Sequence, residues 1–172
     1  MIVGSQHVPV PFVPFSVDPT YHRSTRQRVA SPLHVRTLTA AGLEALYGQP
    51  WDPEILSTLE RCATHLPALG RVLHVAATPH RGHQQLRVYV HLPVTEIVPW
   101  LQRIEWPGRY SMVTQAIEVT GLRIAMTGVQ IDVGSTVRPY FAVERNLHTN
   151  GQCGEAYDVI QRLCALGACD PA

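Results

Sequence analysis

Residues 86–92 read Leu-Arg-Val-Tyr-Val-His-Leu, and this stretch decides the fold. Apolar and polar residues alternate along it, which is the period of a half-buried β-strand. Arg87, Tyr89 and His91 therefore share one face of the predicted strand. The aliphatic residues between them point to the opposite face, which other elements must cover.

A second predicted strand carries a similar pattern. Residues 137–144 read Val-Arg-Pro-Tyr-Phe-Ala-Val-Glu, which places Arg138 and Tyr140 on one face. Each of these strands follows another strand and a turn, with the preceding strands predicted over 71–78 and 122–133. Both polar patterns contain Arg-x-Tyr, 51 residues apart. This spacing indicates a supersecondary unit that occurs twice.

Helical periodicity surrounds the two hairpins. Asp52-Pro53 has the residue types of a helix start, an N-cap followed by proline at the first helical position. Residues 1–36 contain alternating proline and apolar residues and predict an extended arm that lies against the body or a partner. Residues 37–172 predict a single α+β domain in which helices cover one face of an antiparallel sheet. The helices are predicted over 40–47, 53–66, 97–104, 111–120 and 154–166.

Composition excludes several classes of function. The chain has 172 residues and a net charge of +1, and all 14 basic residues are arginine, which rules out lysine chemistry. Dedicated nucleic-acid binders usually concentrate positive charge, and no apolar run approaches the roughly 20 residues of a membrane span. Four cysteines without a C-x-x-C pair and no signal-peptide pattern predict a cytoplasmic protein with free thiols.

Few residues have the spacing of a catalytic or metal site. His80 and His83 lie in a predicted turn without a third ligand at motif spacing, so we expect a solvated loop and no metal. Asp132 lies on a predicted strand near its turn, where it can act as a general base or, more commonly, accept hydrogen bonds from turn amides. No nucleophile is paired with a base, and no phosphate-binding glycine loop is present.

The polar face of the predicted sheet is the candidate binding surface. An arginine fork beside tyrosine rings suits anions, carboxylates and the backbone or aromatic groups of a peptide. The competing interpretations are a solvated sheet face without a ligand and a catalytic surface.

The element order resembles the αββα units of the ABBA-type prenyltransferase barrels, above all the cyanobactin peptide prenyltransferases. The similar stretch covers about residues 68–145. It is carried by Leu-Arg-Val-Tyr-Val at 86–90, Gly-Leu-Arg at 121–123 and Arg-Pro-Tyr-Phe at 138–141. In that family, the units close into a barrel that holds an isoprenoid diphosphate and an aromatic residue of a peptide. The resemblance implies a partial, truncated barrel of this type here.

The chain departs from the family at positions that matter for prenyl transfer. The first strand of the first hairpin, 71–78, holds no acidic residue, and the lysines that help to bind diphosphate are absent. The sequence offers four good strands, whereas a usable barrel needs about eight. Truncated relatives in crocagin-like clusters, which make ribosomal, post-translationally modified peptides, resemble precursor-peptide binders.

The resemblance therefore implies a non-catalytic, cofactor-free protein that binds a precursor (leader) peptide and assists a modifying enzyme. An alternative is an active prenyltransferase assembled from two chains, with arginines on diphosphate and tyrosines shielding the carbocation. A third possibility is an α+β dimer that binds a small anion. Open sheet edges predict pairing with a second copy or with an added peptide strand. The implied peptide-binding residues are Arg87, Tyr89, His91, Arg123, Arg138 and Tyr140.

Overall fold

The computed structural model describes residues 14–16, 31–77, 84–121 and 126–144, together with helical residues at 158–159, 161–162 and 164–165. The last three pairs fall inside the helix predicted over 154–166. Within the described ranges, no helix is long and apolar enough to cross a membrane. The elements in chain order are β1 (Pro14–Ser16), α1 (Pro32–Tyr47), α2 (Pro53–Thr64), β2 (Arg71–Ala77), β3 (Leu86–Pro93), α3 (Ile97–Arg103), α4 (Tyr110–Thr120), β4 (Met126–Val133) and β5 (Val137–Glu144).

The strands form one antiparallel sheet in which spatial order equals chain order, β1 to β5. Four strands are long, and the three-residue β1 pairs with the outer edge of β2. Helices and an antiparallel sheet together confirm the α+β class predicted from the sequence. β5 is the other edge of the described sheet.

Helix α1 begins earlier than the sequence pattern predicts. The predicted start was residue 40, whereas the helix begins at Pro32, after Ser31, whose hydroxyl accepts a hydrogen bond from the His34 amide at 3.2 Å. The first five helical residues thus lie inside the stretch predicted as the extended arm. Proline at the first helical position and a serine cap are both favourable there. The prolines upstream of Pro32 favour extended chain, so the sequence pattern did not predict this helix start.

The core lies between the aliphatic face of the sheet and the helices. Burial alternates residue by residue along β3, as the sequence pattern predicts. Trp100 of α3 is fully buried, and its indole Nε1 donates to the Cys62 carbonyl of α2 at 3.1 Å. Cys62 itself is a buried small hydrophobe, and burial raises the pKa of its thiol to about 12. The thiol is therefore protonated and packs as part of the core.

Candidate functional site

The polar face of the sheet is the face opposite the core. Strand register places Arg87 opposite Asp132, and Tyr89 opposite Gln130. None of the described polar-face side chains is fully exposed, so they form a half-buried layer rather than a freely solvated one. Its polar members, which we call the polar face below, are Arg71, His74, Arg87, Tyr89, His91, Gln130, Asp132, Arg138, Tyr140 and Glu144.

An ion pair crosses the middle of the polar face. Arg87 donates through Nε to Asp132 Oδ1 at 2.8 Å and through Nη2 to Oδ2 at 3.1 Å. Asp132 is 2 % exposed, and the guanidinium carbon of Arg87 lies 4.0 Å from the centre of the Tyr140 ring. The hydrogen bond to Asp132 raises the pKa of Arg87 above its ordinary value. This bidentate, ring-covered pair is a rigid unit.

The pair corrects the expectation for Asp132 and bears on the expectation for Arg87. Asp132 was expected to hydrogen-bond turn amides or to act as a base, and its carboxylate is instead bound by Arg87. Arg87 was expected to be available for an acidic peptide or a diphosphate, and its charge is already balanced by Asp132. Asp132 is thus the residue that sequence reasoning misassigned. Opposite charges on two strands were the available signal, but their register was unknown.

Tyr89 lies flat across the neighbouring strand because Gly128 has no side chain. A Cβ at Gly128 would lie 2.1 Å from Tyr89 Oη and 2.6 Å from Cζ. On its other side, the Tyr89 ring lies 5.5 Å from the His74 ring, centre to centre, at an interplanar angle of 34°. The absence of a side chain at Gly128 therefore lets the Tyr89 ring lie close to the backbone of the sheet. The sequence pattern did not predict this role for Gly128.

We expect Gly128→Ala to lift the Tyr89 ring and to lower the free energy of unfolding by about 1–3 kcal/mol, as overpacking does. Urea unfolding measures the loss. Gly134→Ala is the matched control, since its nearest neighbour is the flexible guanidinium of Arg138 at 3.0 Å. Adding Tyr89→Ala to Gly128→Ala should recover stability. Equal stability of the two glycine variants would contradict the role given to Gly128.

His91 lies toward the other end of β3, opposite Gly128. Its Nδ1 is buried without a hydrogen-bond partner. Burial lowers the pKa of His91, and the nearby Arg71 cation lowers it further. The ring is therefore neutral at pH 7 and can accept or donate a hydrogen bond.

Arg138 lies at the opposite end of the polar face, against Gly134. A Cβ at Gly134 would lie 3.0 Å from Arg138 Nη2 and 3.1 Å from Nε, so the guanidinium rests on the glycine backbone. Its Nε is buried without a hydrogen-bond partner. Of the six residues implied as peptide-binding, the structure places five on this face. The sixth, Arg123, lies outside the described residues.

The edge strand β5 is partly closed to an added strand. Trp106 donates through its indole Nε1 to the Tyr140 carbonyl at 3.2 Å, and Pro139 has no backbone N–H. The Trp106 ring also contacts Tyr110 and Phe141, with centroids 5.8 and 5.9 Å away. The face of the sheet is therefore a better candidate site than this part of its edge.

Among the described residues, no three His, Cys, Asp or Glu side chains lie close enough together to hold a metal ion. The predicted histidine turn, His80 and His83, lies outside the described residues. No protein-family model, no curated protein and no solved structure matches the chain. The resemblance to the ABBA-type prenyltransferases therefore stays a prediction based on the residues quoted above.

Proposed function

We propose that the chain is a non-catalytic binding protein for a ribosomal precursor (leader) peptide, acting in natural-product biosynthesis beside a modifying enzyme. The observation that carries this proposal is the polar face, a half-buried layer in which the Tyr89 ring lies over Gly128 and the Arg138 guanidinium lies against Gly134. Flat tyrosine rings and an arginine offer stacking and hydrogen bonds to an extended peptide. In this proposal, the fold is a partial barrel of the ABBA type.

The spacing of the polar groups favours a long ligand. His91 is opposite Gly128, and Arg138 rests on Gly134, six residues further along the chain and one residue past the end of β4. At a rise of about 3.3 Å per residue, these two groups lie roughly 20 Å apart along the strand. An extended peptide spans that distance, whereas a small anion meets only one of the two groups.

The prenyl-transfer alternative is weakened by the charge balance. Arg87, which would hold diphosphate, is bound to Asp132 through both carboxylate oxygens. A diphosphate at this point would have to compete with a buried carboxylate for the same guanidinium. Peptide binding needs no net positive charge there. Self-association through a sheet edge stays a prediction, with fewer open groups on β5 than the sequence suggested.

Isothermal titration with precursor peptides encoded beside the gene tests the proposal. We expect the parent chain to bind one of them, and Tyr89→Ala to weaken that binding at least tenfold through loss of its ring contacts. Met112→Ala is the control, because Met112 is 57 % exposed on α4 and lies away from the polar face. Its affinity should equal that of the parent.

Two results would overturn this function. The first is the absence of binding to every such peptide, or binding that only helical-face substitutions weaken. The second is prenyl transfer: incubation with dimethylallyl diphosphate and peptide, followed by mass spectrometry, should give no prenylated product. A prenyl mass increment would establish the enzyme instead.

A further inference from the structure

A groove of about 850 Å³ opens at the end of the sheet where β4 turns into β5. Its walls are the first turns of α2, the segment after α3 and residues 135–139. Thr58 of α2 donates its hydroxyl to the Ser135 carbonyl at 2.8 Å, which ties two of these walls together. The groove is thus built by elements that are fixed to each other. It adjoins the polar face, because Arg138 belongs to both.

Among the described residues, Arg138 is the arginine of this groove that has no ion-pair partner. The other arginine that lines it, Arg61, is paired with Glu105 at 3.1 Å. For Arg138, no acidic partner is found among the described residues, and its Nε–H is buried without an acceptor. A buried donor without an acceptor is destabilising, so the fold tolerates a cost at this point. A ligand with a suitable acceptor would remove it.

The charged side chains that line the groove determine which kind of anion it can bind. Its charged side chains are Glu54, Arg61, Glu105 and Arg138, and the Arg61–Glu105 pair is neutral as a unit. Arg138 therefore contributes one positive charge to the groove, and the Glu54 carboxylate contributes one negative charge. The four charges sum to zero, so a ligand that brings one carboxylate to the Arg138 guanidinium disturbs this balance less than a polyanion does. A diphosphate, which carries several negative charges, would meet repulsion from Glu54 with only one cation to offset it.

We infer that Arg138 binds a carboxylate of the peptide, at the point where the peptide leaves the polar face and enters this groove. The inference rests on the proposed function and adds its anchoring residue and the ligand chemistry. Guanidinium and carboxylate pair through two parallel hydrogen bonds, and Nε–H with one Nη–H is such a fork. Arg138 turns away from Gly134 to present this fork, and the buried Nε–H gains its acceptor.

The carboxylate can come from an acidic side chain or from the C-terminus of a peptide, and small probes distinguish the two. N-acetylglutamate methylamide carries only the side-chain carboxylate, and N-acetylglutamine carries only the terminal one. N-acetylglutamine methylamide carries neither. The readout is the ¹⁵N–¹H signal of Arg138 Nε, assigned by its loss in Arg138→Gln.

We expect at least one of the carboxylate probes to shift the Arg138 signal and the neutral probe to leave it unchanged. Arg109→Gln, which removes an exposed arginine, should not alter the titration. Circular dichroism checks that Arg138→Gln is folded, and Arg138→Lys, which keeps the charge without the fork, should bind more weakly than the parent. No shift with either carboxylate would overturn the inference. The inference would also be overturned if inorganic pyrophosphate shifted the Arg138 signal at a lower concentration than the carboxylate probes.

A peptide experiment separates this inference from the proposed function. For a peptide that binds the parent chain, converting its carboxylates to amides should weaken binding about tenfold in the parent and not in Arg138→Gln. Equal binding of the acidic peptide to both chains would overturn the role of Arg138 and leave peptide binding intact. If the carboxylate probes shift the Arg138 signal but no peptide binds the chain, the proposed function is wrong. In that case a peptide is not the source of the carboxylate either.

Discussion

Asp132→Ala is expected to lower the free energy of unfolding by about 3 kcal/mol, the low end of the range for a broken buried ion pair. The loss arises because Arg87, whose side chain is 19 % exposed, keeps its charge without a counter-ion. The Tyr140 ring over the guanidinium offsets only part of that loss. Urea unfolding, followed by circular dichroism, gives the difference from the parent.

An exposed pair in the same chain supplies the control. Arg103 and Glu96 lie 3.3 Å apart with side chains 40 % and 38 % exposed, so Glu96→Ala should cost less than about 1 kcal/mol. The double variant Arg87→Met/Asp132→Leu should recover most of the stability, because it leaves no charge unpaired. If Asp132→Ala and Glu96→Ala cost the same, the pair is not the rigid centre of the polar face.

Trp106→Ala is expected to lower the free energy of unfolding by about 3–5 kcal/mol and to promote self-association. The side chain is 5 % exposed, so its removal leaves a cavity beside Phe141. It also frees the Tyr140 carbonyl of the edge strand, which a second chain can then use. Urea unfolding measures the first effect, and light scattering across a concentration series measures the second.

Trp100→Ala is the matched control for the edge effect. Trp100 is buried to a similar degree, and its indole also donates to a backbone carbonyl, that of Cys62 in α2. We expect a similar loss of stability without a change in association at concentrations where both variants are folded. If both tryptophan variants associate equally, Trp106 does not protect the sheet edge.

The sequence predicted the parts of the fold that depend on local periodicity. β2, β3 and β5 lie within two residues of their predicted ends, because strand alternation and turn residues are properties of neighbouring positions. The start of α1 was missed, because the prolines upstream favour extended chain while Pro32 itself is compatible with the first helical turn.

The candidate site was predicted as a face but not as a set of contacts. Alternation along β3 correctly placed Arg87, Tyr89 and His91 together. It could not show that Tyr89 lies over Gly128, 39 positions away on another strand, or that Arg138 rests on Gly134 in the turn before β5. The role of such a glycine depends on which side chain packs over it in the folded structure.

The sequence by itself determined which residues share the polar face, because successive side chains of a strand point to opposite sides whatever the strand pairs with. Only the tertiary structure decided which of them are already paired with another side chain. Packing of the aliphatic face against the helices sets the β3–β4 register, and a shift by one residue would turn that face to solvent. This register places Arg87 opposite Asp132, which balances its charge, while Arg138 has no carboxylate partner among the described residues.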